Sequence, residues 1–171
     1  MPDKEHRHGE GAETCIDCHI IHIMVNACTA CHKEVREETD LVTVRESKGD
    51  YDGDGDKKEG IASEIKTLHD KLYAALQAYA KEVSKPIAYD SHGYPYFFLD
   101  TNDNGKADKK EALYKNKYNV FTPRPLRAVY NYQFAAKDRG AFTQNPTYVI
   151  QRLRDSLADL GNVAMDRMAR P

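Results

Sequence analysis

Between residues 15 and 32 the chain reads CIDCHIIHIMVNACTACH. All four cysteines of the protein lie in this stretch, in two C-x-x-C-H units. The first is Cys15, Cys18 and His19. The second is Cys28, Cys31 and His32, with eight residues between the two units. Two thiols three positions apart can each form a thioether to one vinyl group of the same porphyrin, and the histidine that follows then lies under the ring and ligates the iron. These residue types at this spacing point to two covalently held haem c groups. Zinc is the rival reading, because C-x2-C-x9-C-x2-C also supplies two close thiolate pairs to a tetrahedral ion. It leaves both histidines as accidents. Histidine is 7 of 171 residues, so two such accidents together have odds of roughly 0.2%. A redox dithiol needs one pair of cysteines and not two.

Each C-x-x-C-H supplies one axial histidine, and the second axial ligand decides between electron transfer and chemistry at an open iron. The candidates are His22, His69 and His92, with His6, His8 and Met24 behind them. His22 is tied beside the first haem and is better placed to ligate a neighbouring one. His69 falls on the flank of a helical apolar stripe, and His92 sits in an aromatic segment. For all three the competing role is an ordinary structural or exposed histidine. The apolar filling from Ile20 to Ala27 suits porphyrin faces. Nine chain steps span at most about 30 Å, so the two haems should be neighbours.

A second kind of chemistry begins at Asp50. In DYDGDGDKKE, Asp50, Asp52 and Asp54 alternate, Gly55 permits a sharp turn, and Asp56 and Glu59 follow. Alternate carboxylates in a tight loop converge on one hard cation. Position 12 of the EF-hand template is Ile61, so the fit is to a shorter variant closed by Glu59, with a solvated acidic turn as the alternative. The run DTNDNGKADKKE fills every ligand position of that template. Asp100, Asn102 and Asn104 stand at 1, 3 and 5, Lys106 offers its carbonyl at 7, and Asp108 and Glu111 stand at 9 and 12. This is the stronger of the two signals. One or two calcium ions are expected, and the two loops are expected to pair.

The elements that must hold these groups are mainly α-helical. Ile61, Ile65, Leu68, Leu72, Leu76, Tyr79 and Val83 recur at steps of three and four, predicting a helix over 61–83 that Pro86 helps to stop. Residues 87–99 read as an extended or turn segment with Gly93 and Pro95 as breakers, and 109–119 as a short helix. Pro123 and Pro125 open a helix containing Leu126, Val129, Tyr130 and Phe134. Asn145 caps a last helix with Pro146 at its first position and Val149, Leu153, Leu157 and Leu160 as its stripe. The expected division is a flexible tail over 1–14, a loop-rich dihaem segment over 15–48, and a small helical calcium-binding domain over 49–171 with two EF-hand-like loops.

The net charge of −2 gives no basic footprint for nucleic acid. No apolar run approaches the length of a transmembrane helix, and no secretory h-region is visible at the start. Haem c is attached outside the cytoplasm. The expectation is therefore that this sequence is the C-terminal part of a longer exported chain, periplasmic or extracellular.

The doubled unit CIDCHIIH…CTACH resembles that of multihaem c-type cytochromes, in which the residue at His19 is proximal and the one at His22 commonly ligates an adjacent haem. The usual unit has a longer spacer and a proline where Ile21 stands. The stretches DYDGDGDKKEGI, YDSHGYPYFF and YVIQRLRDSLADL are similar to a C-terminal block carried by some exported bacterial or archaeal multihaem cytochromes. That block carries no established activity. The expectation from the haem motifs is electron transfer without catalysis, with other haem domains or redox proteins as partners, in an oligomer or a larger multihaem chain. Two alternatives stay open. One is a multihaem reductase with an open haem site. The other is a zinc- and calcium-binding interaction module without redox chemistry.

Overall fold

The long helix α1 spans Ile61–Val83, the span its apolar periodicity predicts. Its last turn closes where the Ser84 N–H donates to the Ala80 carbonyl at 2.9 Å, and Pro86 follows two residues later. The computed structural model describes residues 25, 26, 29, 31–138 and 140–161. Within them the fold is mainly helical.

After α1 come two short antiparallel strands, β1 (Ile87–Tyr89) and β2 (Phe97–Leu99), paired Ile87 to Leu99 and Tyr89 to Phe97. The helices α2 (Pro123–Lys137), α3 (Ala141–Gln144) and α4 (Pro146–Gly161) complete the chain order. The prolines of α2 and α4 occupy first-turn positions, where a missing N–H costs nothing. Asn145 Oδ1 accepts the Tyr148 N–H at 3.3 Å, as an N-cap does.

The core lies where α1, α2 and α4 meet and the hairpin covers them. Leu68, Leu72 and Leu76 of α1 pack with Ile87, Phe97, Tyr132, Val149 and Leu153, all buried. Fully burying a side chain of this kind contributes about 1.5–3 kcal/mol, which makes this stripe a main stabilising contact of the helical fold.

One local expectation differs from what is found, and on α2 the fold chooses between two apolar stripes. On α2 the buried face is Pro125, Ala128, Val129 and Tyr132, which lie at steps of three, one and three. Leu126, Tyr130 and Phe134 form a second stripe about 150° round the helix and are exposed. Both stripes are apolar in sequence, and only one can face α1 and α4. Residues 109–119 do not make an α-helix. The segment is drawn to the edge of β2, where Lys117 bridges Phe98 and the Tyr118 N–H donates to the Phe97 carbonyl at 2.9 Å. Only a 3-10 turn at Tyr114–Asn116 remains.

The stretch before α1 packs on the helices too. Asp40 accepts the N–H groups of Arg36 and Glu37 at 2.8 and 3.0 Å and so nucleates a 3-10 turn over Glu38–Thr43. Val35 and Leu41 are buried with Val25, against partly buried Val44 and Phe142. Gly60 is needed for this docking. A Cβ there would stand 1.8 Å from the Val42 carbonyl oxygen, so any other residue would push the connector off the start of α1.

Candidate metal centre

The first acidic loop is built from backbone turns that its own aspartates make. Asp50 accepts the N–H groups of Gly53 at 2.6 Å and Gly55 at 2.9 Å. Asp52 accepts that of Asp54, and Asp54 that of Asp56. Gly53 and Gly55 have φ of 79° and 95°, a region that other L-residues rarely enter. The chain is thereby wound so that successive carboxylates turn inward.

Ligand oxygens of Asp50, Asp52 and Glu64 lie within 4.8 Å of one another, and so do those of Asp52, Asp54 and Glu59. Asp52 belongs to both groups and joins them into one cluster of five carboxylates. It is 8% exposed, and its Oδ2 is buried with no hydrogen-bond partner, as is Oε1 of Glu59. A buried carboxylate oxygen without a donor is costly. A hard cation bound by oxygen alone is the partner such oxygens fit. The electrostatics agree. Burial pushes the Glu59 carboxyl above its ordinary value, and the charges of Asp54, Asp52, Glu64 and Asp56 add to it. Asp50 is held below its ordinary value, first by the Gly53 N–H. Asp56 stands apart. It is exposed, caps the Lys58 N–H at 2.8 Å, and belongs to neither group.

Glu64 is the residue that sequence reasoning missed. It sits in the first turn of α1, wholly buried, where the helix dipole favours an anion. Its Oε2 accepts the N–H groups of Tyr51 at 2.7 Å and Asp52 at 2.8 Å, and its Oε1 accepts Arg45 Nη1 at 2.7 Å. Arg45 also donates to the carbonyls of Ser47, Gly49 and Glu59. One buried guanidinium therefore ties the connector, both ends of the loop and the helix together. The available signal was an acidic residue in the first turn of the helix that follows an acidic loop.

The second loop is wound in the same way. Asp100 accepts the N–H groups of Asn104 at 3.2 Å and Gly105 at 2.7 Å, and Gly105 has φ of 77°. Glu111 closes the loop by accepting the Thr101 N–H at 2.7 Å and the Thr101 hydroxyl. The hydroxyl is the main reason its carboxyl lies below the ordinary value. Asn102 and Asn104 turn their amide N–H groups onto Asp108, at 2.9 and 3.0 Å. Lys106 donates its N–H to Asn104 Oδ1 at 2.8 Å. Among the described residues the groups of three converging acidic, histidine or cysteine ligands both include residues of the first loop; two of the second loop's donors, Asn102 and Asn104, are neutral amides. The loops do not pair through a β-bridge among the described residues. Each instead leans on α1. Lys71 donates to the Asp52 carbonyl at 2.6 Å, while Tyr73 and Gln77 donate to the Gly105 carbonyl at 3.1 and 2.8 Å.

Stripping divalent cations should therefore lower the melting temperature. A ligand at a hundred times its dissociation constant stabilises by about 2.7 kcal/mol. Calorimetry with and without a chelator reads the loss, and an identical melting temperature in both would refute calcium at either loop.

Of the haem-motif residues, Cys31 and His32 are described. Cys15, Cys18, His19, His22 and Cys28 lie outside the described residues, as do His6, His8 and Met24. Cys31 is exposed. His32 places Nδ1 at 3.4 Å from Glu34 Oε1 and Nε2 at 3.5 Å from Glu46 Oε1. His92 stands on the β1–β2 turn with its side chain 92% exposed and Nδ1 3.4 Å from Asp90. His69 is partly buried. Its ring stacks on Tyr132 at 3.8 Å, and Nε2 lies 3.0 Å from the Tyr132 carbonyl, an acceptor that commits that nitrogen as the donor.

Burial pushes His69 below its ordinary pKa, against the pull of the Tyr132 carbonyl. The unfolded chain thus binds this proton more readily than the folded one. The contribution to stability is complete above about pH 6.5 and is lost as pH falls from there towards the folded pKa. Melting curves at pH 7 and 5.5 should show a drop that His69→Phe, which keeps the stack, makes smaller. Equal drops in both proteins would refute this.

No family model, curated protein or solved structure matches the chain. Among the described residues no helix is long and apolar enough to cross a membrane.

Proposed function

We propose that the chain is a dihaem, calcium-binding part of an exported multihaem c-type cytochrome and that it passes single electrons to other haem domains or redox proteins. The observation that carries this reading is the doubled C-x-x-C-H at Cys15/Cys18/His19 and Cys28/Cys31/His32. Haem c bound there would supply a one-electron iron couple. The surroundings of His32 support it. A histidine that ligates a metal through one nitrogen commonly donates from the other to a carboxylate, which fixes its tautomer and raises its basicity. Glu34 stands beside Nδ1 in that role.

The first acidic loop is read as a calcium site. Its donors are all oxygens, which suits calcium and excludes the soft metals. Asp50, Asp52, Asp54, Glu59 and Glu64 would hold the ion, and Arg45 orients Glu64. The second loop, with Asp100, Asn102, Asn104, Lys106, Asp108 and Glu111, is read as a second site of lower charge.

The test is expression behind an export signal with the haem-attachment machinery. A reduced c-type spectrum and covalent haem on the denatured chain are expected. A folded protein without covalent haem under those conditions overturns the reading and favours a zinc- and calcium-binding module.

A further inference from the structure

Beside His32 the fold leaves an open cavity of about 380 Å³, within the range of small-ligand sites. Its apolar walls come from three parts of the chain: Leu41 and Val44 of the connector, Ile61 at the start of α1, and Phe142 and Ile150 from α3 and α4. His32 itself lines it. The two ring nitrogens of His32 face different surroundings. Nδ1 is turned to Glu34, which is not part of the cavity wall, and Nε2 to Glu46, which is. Glu46 is 82% exposed at its side chain, so nothing in the packing holds it there. Nε2, the nitrogen that would ligate iron, is thus on the side of Glu46 and the recess, whose wall also includes Arg45, Ser47, Tyr51 and Thr143 beside the apolar residues. The wall below that recess is rigid, because Arg45, between Val44 and Glu46, is locked by Glu64 and three backbone carbonyls.

We propose that this cavity seats the face or edge of the haem that His32 ligates, so that the helical domain forms one wall of that haem's site. This rests on the haem reading above and goes beyond it. A C-x-x-C-H motif needs no such wall to attach haem. It does need one to shield the ring from water, and burial is a principal lever on haem potential. The reading also accounts for a recess with several apolar side chains opening to solvent next to a histidine.

The experiment uses the full chain after covalent haem has been shown on it, so absence of haem would already have refuted the function and not this seat. Thr147 is exposed at the cavity rim, on the first turn of α4. Thr147→Trp fills the mouth without disturbing the core, and Phe142→Ala widens it. The readouts are the visible circular dichroism of the Soret band and a potentiometric titration resolving the two haems. One haem is expected to shift in both variants, while the other stays as in the parent. The shift should persist when Cys15 and Cys18 are replaced by Ala and vanish when Cys28 and Cys31 are. Loss of the second haem alone in Thr147→Trp supports the seat equally. Both haems unmoved, both moved alike, or a shift that follows Cys15 and Cys18 overturns it.

Discussion

Replacing Glu64 by Ala should lower the stability of the protein by about 3–5 kcal/mol, the cost of removing one partner from a buried ion pair. Glu64 is wholly buried, and the Arg45 side chain is 7% exposed. The guanidinium left behind keeps its three carbonyl acceptors but loses its counter-charge. The N–H groups of Tyr51 and Asp52 lose their acceptor in the same step. At roughly 2–4 °C per kcal/mol for a chain of this size, the melting temperature should fall by roughly 6–20 °C. Glu64→Gln separates the two roles of the residue. It keeps the shape and an acceptor for Arg45, so it should retain more of the cation-free stability. It removes a charge from the cluster, so it should lose most of the gain on adding calcium. Calorimetry of both variants with and without calcium reads this directly. If Glu64→Gln gains as much from calcium as the parent, Glu64 is a brace for Arg45 and not a ligand.

The second large effect is expected at the cysteines. On the proposed haem reading, Cys28→Ala with Cys31→Ala should reduce covalent haem from about two per chain to about one, because each C-x-x-C pair would anchor its own porphyrin. The same double change at Cys15 and Cys18 should remove the other haem. Loss of both haems from either change would mean the two sites mature as one unit. An unchanged count in both would sink the haem assignment. His32→Ala tests the axial role separately. The thioethers survive, so the haem count should hold. The iron loses its proximal nitrogen, so the low-spin signature of that haem should weaken. Glu34→Gln should act in the same direction more gently by withdrawing the carboxylate beside Nδ1, with a rise in that haem's potential as the readout.

Much of the scaffold was legible because it rests on local rules. The span of α1 follows from Leu68, Leu72 and Leu76 on one face and from Pro86. The start of α4 follows from Asn145 and Pro146. Aspartates at alternate positions with glycine between them state a tight loop wherever they occur. Other features depend on what approaches from elsewhere. Leu126, Tyr130 and Phe134 obey helical periodicity as well as Val129 and Tyr132 do, and only the docking of α1 and α4 selects one stripe. Residues 109–119 have helix-compatible composition, yet the open edge of β2 claims them. His69 reads as a flanking ligand candidate on a helical wheel, and the arrival of Tyr132 turns it into a stacked, partly buried ring.

The candidate sites divide in the same way. The identity and spacing of the two C-x-x-C-H units and of Asp50, Asp52 and Asp54 are properties of the sequence by itself, because thioether attachment and loop chelation act over a few residues. That Glu64 lies beside Asp50 and Asp52, that Arg45 ties the loop to the helix, and that His32 borders a cavity lined by residues from α3 and α4 were decided by tertiary structure. Each depends on the connector before Gly60 folding back onto the start of α1 and against Phe142 of α3. That contact forms because buried charges and apolar side chains far apart in the chain are satisfied only by one another.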